Sequence, residues 1–260
     1  MAIIGSILGD IAGSCHEFKR PESRDWKHME LFTDKNFFTD DTVLTCGTKL
    51  AIKNYGNIFS KYYRSICRRY PNLSYGNSFR EWFESDNMPP YKSYGNGSAM
   101  RVSPIIDAGL CRMDECILVA GSAACTHNHE EGVKGALVTA DCIRMAKDGH
   151  TKTDILDYVN QEYPPEEYGY AATHDMKWLR KNYSWNDTCQ GSVPVAVRCF
   201  IDSDSYEDFL RNVLSLYADA DTLCCIGGGI AEEYYGETGF DDDMILRRYL
   251  DDYLYGIVVS

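Results

Sequence analysis

The stretch from Ala2 to about Ser14 constrains the fold more than any other. Ile4, Ile7, Leu8 and Ile11 recur at helical spacing, and Gly5, Gly9 and Gly13 occupy every fourth position of the same run. Each glycine lowers helix propensity by roughly 1 kcal/mol relative to alanine. A helix that keeps such a smooth stripe is expected either to meet another backbone closely or to floor a ligand site. The two readings are compatible.

Helical periodicity continues along the chain. Thr39 is the expected N-cap of a helix through Val43, Leu44, Leu50 and Ala51, with Asp40 and Asp41 in its first turn. Further helices are expected over Phe59 to Tyr70, Asp114 to Cys125, Val133 to Met145, Thr153 to Val159, Val193 to Phe200, Tyr206 to Leu216 and Leu223 to Tyr235. A last one starts near Asp241, and Asp148-Gly149-His150 reads as a helix stop. Arg64, Arg68 and Arg69 are assigned to a solvated face. The run from His16-Glu17-Phe18 through Lys35 reads as a surface loop. Tyr163 to Trp185, with Pro164 and Pro165, reads as an irregular insertion over the cleft. No alternating run is long enough for a strand. The expectation is an all-α fold, one orthogonal helical bundle spanning residues 1–260.

Composition narrows the function classes. Across 260 residues, 44% hydrophobic and 25% charged content is that of a soluble globular chain. A net charge of -13 argues against nonspecific binding to nucleic acid or anionic membrane. It leaves room for a small anion approached through a bound cation. None of the 11 cysteines forms a C-x-x-C pair, so zinc-ribbon and thioredoxin chemistry lack their spacing. Cys224 and Cys225 read as small hydrophobes inside a helix. The segment Met1-Ala2-Ile3-Ile4-Gly5 has no basic flank, and no charge-free apolar stretch approaches membrane-spanning length. A reduced, cytoplasmic setting is expected.

Two distant acidic stretches look like halves of one site: Phe38-Thr39-Asp40-Asp41-Thr42 and Ala218-Asp219-Ala220-Asp221-Thr222. Each sets carboxylates beside a hydroxyl, an oxygen donor set suited to Mg²⁺ or Mn²⁺. Acidic residues also favour a helix start without any metal, because the helix dipole attracts negative charge there. Between them, Tyr91 to Arg101 contains Gly95-Asn96-Gly97-Ser98, whose small residues let backbone N–H groups approach an anion. An EF-hand reading from Asp219 fails, since its glycine and glutamate positions hold Cys224 and Ile230. His127-Asn128-His129 spells a nuclease motif without the strand–helix context that motif needs. His127, His174-Asp175 and Asp219 match the ligand order of the histidine-rich helical phosphohydrolases called HD-domain proteins, which stands as a rival metal site.

Taken together, the motifs resemble the ADP-ribosylglycohydrolases, which include the dinitrogenase-reductase-activating glycohydrolases. The resemblance rests on Gly5 to Asp10 through Glu17-Phe18, Thr39-Asp40-Asp41-Thr42, Gly95 to Arg101, Thr126-His127, Ser192-Val193-Pro194 with Phe200, and Asp219 to Thr222 through Gly236, in that order. It implies two Mg²⁺ (or Mn²⁺) ions held by Thr39, Asp40, Asp41, Asp219, Asp221 and Thr222 in a central cleft. It also implies catalysis by Glu17 with Asp40 and Asp221, and ADP-ribose binding by Gly97, Ser98, Met100 and His127. The implied reaction hydrolyses the glycosidic bond between ADP-ribose and a modified protein side chain, nucleobase or small molecule, in a monomer. A catalytically silent ADP-ribose binder is the alternative from another class, since a fold hosts sites but does not guarantee them. The Lys92-Ser93-Tyr94 segment lacks the carboxylate that some arginine-specific members carry near this loop.

Overall fold

The computed structural model describes residues 1–23, 25–54, 58–169 and 172–260. Among them the chain forms fifteen α-helices and no strand. In order these are α1 (Ala2–Ser14), α2 (Asp40–Lys53), α3 (Phe59–Arg69), α4 (Asn77–Glu84), α5 (Ser103–Asp107), α6 (Arg112–Ala124), α7 (Glu130–Lys147) and α8 (Lys152–Glu162). Then follow α9 (Pro165–Tyr168), α10 (Met176–Asn182), α11 (Cys189–Ile201), α12 (Tyr206–Leu214), α13 (Ala220–Tyr235), α14 (Asp242–Tyr249) and α15 (Asp252–Val259). Single 3₁₀ turns occupy Pro21–Ser23 and Asn96–Ser98.

Helices α1 and α13 form the centre of the molecule. Every residue of α1 except Ile4 is buried, and α13 is buried from Ala220 through Glu232. A methyl group added at Gly5 would overlap the Gly228 carbonyl, one at Gly9 the Cys224 carbonyl, and one at Gly13 the Ala220 carbonyl. The numbers run in opposite directions, so the helices are antiparallel and their backbones touch along the whole glycine stripe. Gly228 returns the fit, since a side chain there would strike the Gly5 carbonyl. The close-contact reading of the stripe is the one realised. Antiparallel packing also sets the C-terminal end of α1 beside the N-terminal end of α13.

The other layers wrap this pair. Helices α11 and α12 cover α13, α7 packs on α13 and α11, and α5 and α2 flank α1. Cys224 and Cys225 are buried in the core, in keeping with their expected role as small hydrophobes.

Two parts of the chain differ from expectation. Helix α4 carries Phe79, Trp82 and Phe83 into the core, and a single amphipathic turn pair of that length has too little periodicity to stand out in sequence. Its presence changes the arginine face of α3. Arg64 donates to the Trp82 and Met88 carbonyls and lies 4.1 Å from the Trp82 ring, and Arg68 donates to the Phe83 carbonyl. Those guanidinium groups satisfy the open C-terminal carbonyls of α4 rather than merely facing solvent. The segment expected to be irregular, 163 to 185, contains α9 and α10, with Tyr163, Met176 and Leu179 buried. Residues 170 and 171 of that segment lie outside the described residues.

Candidate active site

The loop after α1 places Glu17 opposite the start of α13, and Asp10 on α1 points at the start of α2. Asp10 is fully buried and accepts from the Thr39 N–H (2.9 Å), the Thr39 hydroxyl (2.7 Å), the Thr42 N–H (3.1 Å) and the Thr42 hydroxyl (2.5 Å). These bonds clamp the first turn of α2 to α1. Thr39 also acts as the N-cap, accepting from the Asp41 N–H at 3.2 Å.

With the starts of α2 and α13 clamped together, their carboxylates meet. Oxygens of Asp10, Asp41 and Asp221 lie within 4.8 Å of one another, as do those of Glu17, Asp219 and Asp221. The Thr222 hydroxyl donates to Asp41 at 3.1 Å, across the two sequence stretches. Asn96 donates to Asp219 at 2.8 Å and to the Ser192 hydroxyl at 3.0 Å, tying the glycine loop to the same cluster.

The electrostatics are severe. Burial, then the neighbouring Asp219, Asp40 and Asp10, push Glu17 up to about 8. Burial and Asp10 push Asp40 up to about 7. Asp41 and Asp221 rise well above the ordinary carboxylate range through burial and mutual repulsion. Asp10 and Asp219 also rise, although their hydrogen bonds oppose the shift. Both helix starts point the positive ends of their dipoles at the cluster, but partial charges of that size do not balance this many carboxylates.

This geometry favours a cation site over a pair of helix caps. Asp219 is the N-cap of α13 yet makes no side-chain capping bond, and Asp41 Oδ1 is buried with no hydrogen-bond partner. Buried carboxylate oxygens without donors are destabilising unless a cation meets them. Oxygen-only donors fit a hard divalent ion. Asp10 spends Oδ2 on three of its bonds and Oδ1 on one, so it organises the start of α2 while a carboxylate oxygen stays within reach of the cluster.

The cluster lines a cavity of about 630 Å³. Glu17, Asp40, Asp41, Asp219, Asp221, Thr222, Gly97, Met100 and His127 all line it. Thr39 and Ser98 do not. Thr39 is spent on Asp10, and the Ser98 hydroxyl donates to the Gly132 carbonyl at 2.7 Å, bracing the loop from behind. The loop's amide cradle is narrower than expected, because the N–H groups of Gly95, Asn96, Ala99 and Met100 are bonded within the protein. His174 and Asp175 are not among the lining residues. His174 stacks on Trp178 at 3.7 Å and Asp175 caps α10, so the HD-type ligand set is not assembled.

Sequence reasoning left Asp10, Asn96, Trp185 and Asp187 without a site role. The Asn96 N–H donates to the Asp187 carbonyl at 2.7 Å, and Asp187 lines the cavity. The backbone of Asp187 therefore pins the glycine loop, from a segment about ninety positions away where local sequence cannot reveal it. Phe18 and Trp185 stack at 6.0 Å on the cavity rim beside Glu17.

A family model described as ADP-ribosylglycohydrolase matches residues 1–258. The chain belongs to the ADP-ribosylglycohydrolase family. Membership makes it a hydrolase. Among curated relatives, ADP-ribosylhydrolase ARH3 of Danio rerio is 24% identical, covering 90% of this chain and 82% of the relative. The Mus musculus protein of the same name is 24% identical with the same coverage. A solved structure titled ADP-ribosylglycohydrolase-related protein complex superposes with a TM-score of 0.72 at 19% identity, covering 99% of this chain and 95% of that one. That likeness bears on the fold, and it agrees with the all-α architecture. No helix is long and apolar enough to cross a membrane among the described residues.

Proposed function

We propose that this ADP-ribosylglycohydrolase hydrolyses the glycosidic bond joining the distal ribose of ADP-ribose to a modified side chain, nucleobase or small molecule, with two divalent cations, Mg²⁺ or Mn²⁺. The observation that carries the reading is the buried carboxylate cluster lining the cavity, with an orphaned oxygen on Asp41. The two overlapping groups share Asp221, which supports a pair of neighbouring ions. Asp40, Asp41, Asp219, Asp221 and Thr222 would hold them, with Thr39 supporting through Asp10 and Asp41. When bound, such ions supply Lewis-acid stabilisation at the sugar hydroxyls and the attacking water.

The protein's own residues do the rest. Glycoside cleavage passes through an oxocarbenium-like state in which the bonding electrons leave with the departing group. Water adds to the anomeric carbon, and the departing group gains a proton. Glu17 stands beside Asp219 and Asp221 with its proton affinity raised toward neutrality, so it can take the water's proton and return it. The cluster's low-dielectric setting keeps these charges strongly coupled. Gly97, Met100 and His127 line the same cavity and would receive the ADP portion. The whole of 1–260 acts as one catalytic domain, in a monomer.

The deciding experiment is a panel of ADP-ribosylated proteins, nucleobases and small molecules, incubated with Mg²⁺ or Mn²⁺ and scored for free ADP-ribose. Release is expected for at least one linkage, with a loss on the order of a hundredfold or more in Asp221→Asn. Full turnover in that variant, or after exhaustive chelation, defeats the mechanism. Tight ADP-ribose binding with no turnover on any linkage establishes a silent binder instead.

A further inference from the structure

We propose that Arg101, acting through Thr126, fixes the tautomer of His127 so that its Nε2–H is a standing hydrogen-bond donor to ADP-ribose. Arg101 is then a positioning residue: it stands in the cavity wall, but its side chain is fully buried and acts on the ligand through Thr126 and His127.

Arg101 is an unusual side chain to find at the centre of an α-helical core. It is 0% exposed, and no carboxylate accepts from it. Nη2 donates to the Ser122 carbonyl at 2.6 Å and to the Thr126 hydroxyl at 2.9 Å, while Nε and Nη1 have no partner. The guanidinium carbon rests 4.4 Å from the centre of the Tyr63 ring. Burying a cation without a counter-charge is expensive, so its retention calls for a return elsewhere.

The return lies along the hydrogen-bond chain. Thr126 Oγ1, also wholly buried, is 2.7 Å from His127 Nδ1. A guanidinium only donates, so Oγ1 accepts from Arg101 and keeps its own proton to give; in the proposed relay that proton goes to the adjacent ring nitrogen. Polarisation by the cation strengthens that second bond. A neutral imidazole that accepts at Nδ1 carries its proton at Nε2. Burial and the nearby Arg101 charge both hold His127 well below its ordinary pKa, which keeps the ring neutral.

His127 lines the cavity, and Nε2 faces the glycine loop. A methyl group at Gly97 would come within 3.4 Å of Nε2, and one at Gly95 within 3.6 Å. The two glycines thus keep the space before this N–H open. An N–H donor suits the phosphate and hydroxyl oxygens of ADP-ribose, and a ring without an open lone pair is no base. Proton transfer stays with Glu17, beside Asp219 and Asp221.

The tautomer can be read without any activity, so it stands or falls apart from the proposed function. Histidine ¹⁵N chemical shifts and long-range ¹H–¹⁵N couplings at neutral pH, assigned with His127→Gln, are expected to show protonated Nε2 in the wild-type chain. Thr126→Val is expected to lose the single-tautomer signature, Thr126→Ser to keep it, and Arg101→Gln to blur it. Protonation at Nδ1 in the wild type, or an unchanged Nε2–H signature in Thr126→Val, overturns the proposal. Should Arg101→Gln not fold, the Thr126 pair still decides. Calorimetry with ADP-ribose then tests the ligand half: Thr126→Val is expected to weaken binding on the order of tenfold, and Thr126→Ser to restore it. Unchanged affinity alongside a lost tautomer refutes the donor role. If the wild type binds no ADP-ribose, the proposed function fails while the tautomer stands.

Discussion

Single carboxylates in this site carry opposite burdens, and substitutions should separate them. Asp10 accepts from backbone and hydroxyl donors of Thr39 and Thr42, whereas Asp41 Oδ1 accepts from none. Asp10→Ala leaves buried N–H groups without partners and is expected to cost about 3 kcal/mol or more, with or without metal. Asp41→Asn removes a repelled charge while keeping shape. It is expected to raise the melting temperature of the metal-free chain and to abolish the rise that Mg²⁺ or Mn²⁺ produces. Calorimetric melts of both variants check the pair, and a metal-free Asp41→Asn chain less stable than wild type contradicts the assignment. The carboxylates of the two acidic stretches were legible in sequence because each stands beside a hydroxyl at a helix start. Asp10 was not, since a lone aspartate on an apolar helix shows its value only when α2 docks on it. Ser98 was legible as a loop residue, but its direction, away from the cavity, depends on α7.

Among the elements, the antiparallel α1–α13 pair sets the site's dimensions. Gly9→Ala gains roughly 1 kcal/mol of helix propensity but forces a methyl group into the Cys224 carbonyl. Overpacking a rigid core costs typically about 1–3 kcal/mol, and backbone-on-backbone overlap has no rotamer to yield. The net expectation is a fall in melting temperature of several degrees, together with weaker metal binding as Asp10 and Asp221 move apart. A neutral melt would mean that the helices can separate freely. By contrast, α4 escaped sequence reading, and with it the reason for the α3 arginines. Arg64→Ala is expected to destabilise by about 1–2 kcal/mol through the released Trp82 and Met88 carbonyls, checked by denaturant titration.

At the scale of the whole molecule, the cluster makes stability depend on pH and cations together. Glu17 and Asp40 titrate ordinarily at 4.5 and 3.8, and in the fold at about 8 and about 7. Between these limits the metal-free folded chain binds more protons than the unfolded one, so this contribution falls as pH rises. It is fully favourable below the ordinary values and lost above the raised ones. The metal-free wild type, compared with a Glu17→Gln/Asp40→Asn double variant as baseline, is therefore expected to lose stability from about pH 5 to about pH 8. Mg²⁺ or Mn²⁺ should restore it most at the higher pH, with proton release on binding. Melts across that range and calorimetry in buffers of differing ionisation enthalpy test this. A relative stability that rises with pH defeats it.

By itself the sequence determined the helical class, most helix positions, that Gly5, Gly9 and Gly13 form one smooth stripe, and the residue types that gather at the site. These follow from periodicity, capping and oxygen-donor chemistry, all of which act over a few residues. Only the tertiary structure decided which helix fills the glycine stripe, that Asp10 and Asn96 bind the two acidic stretches into one cluster, and that Arg101 reaches His127 through Thr126. Those outcomes depend on burial and on partners distant in sequence, and neither is written in local spacing.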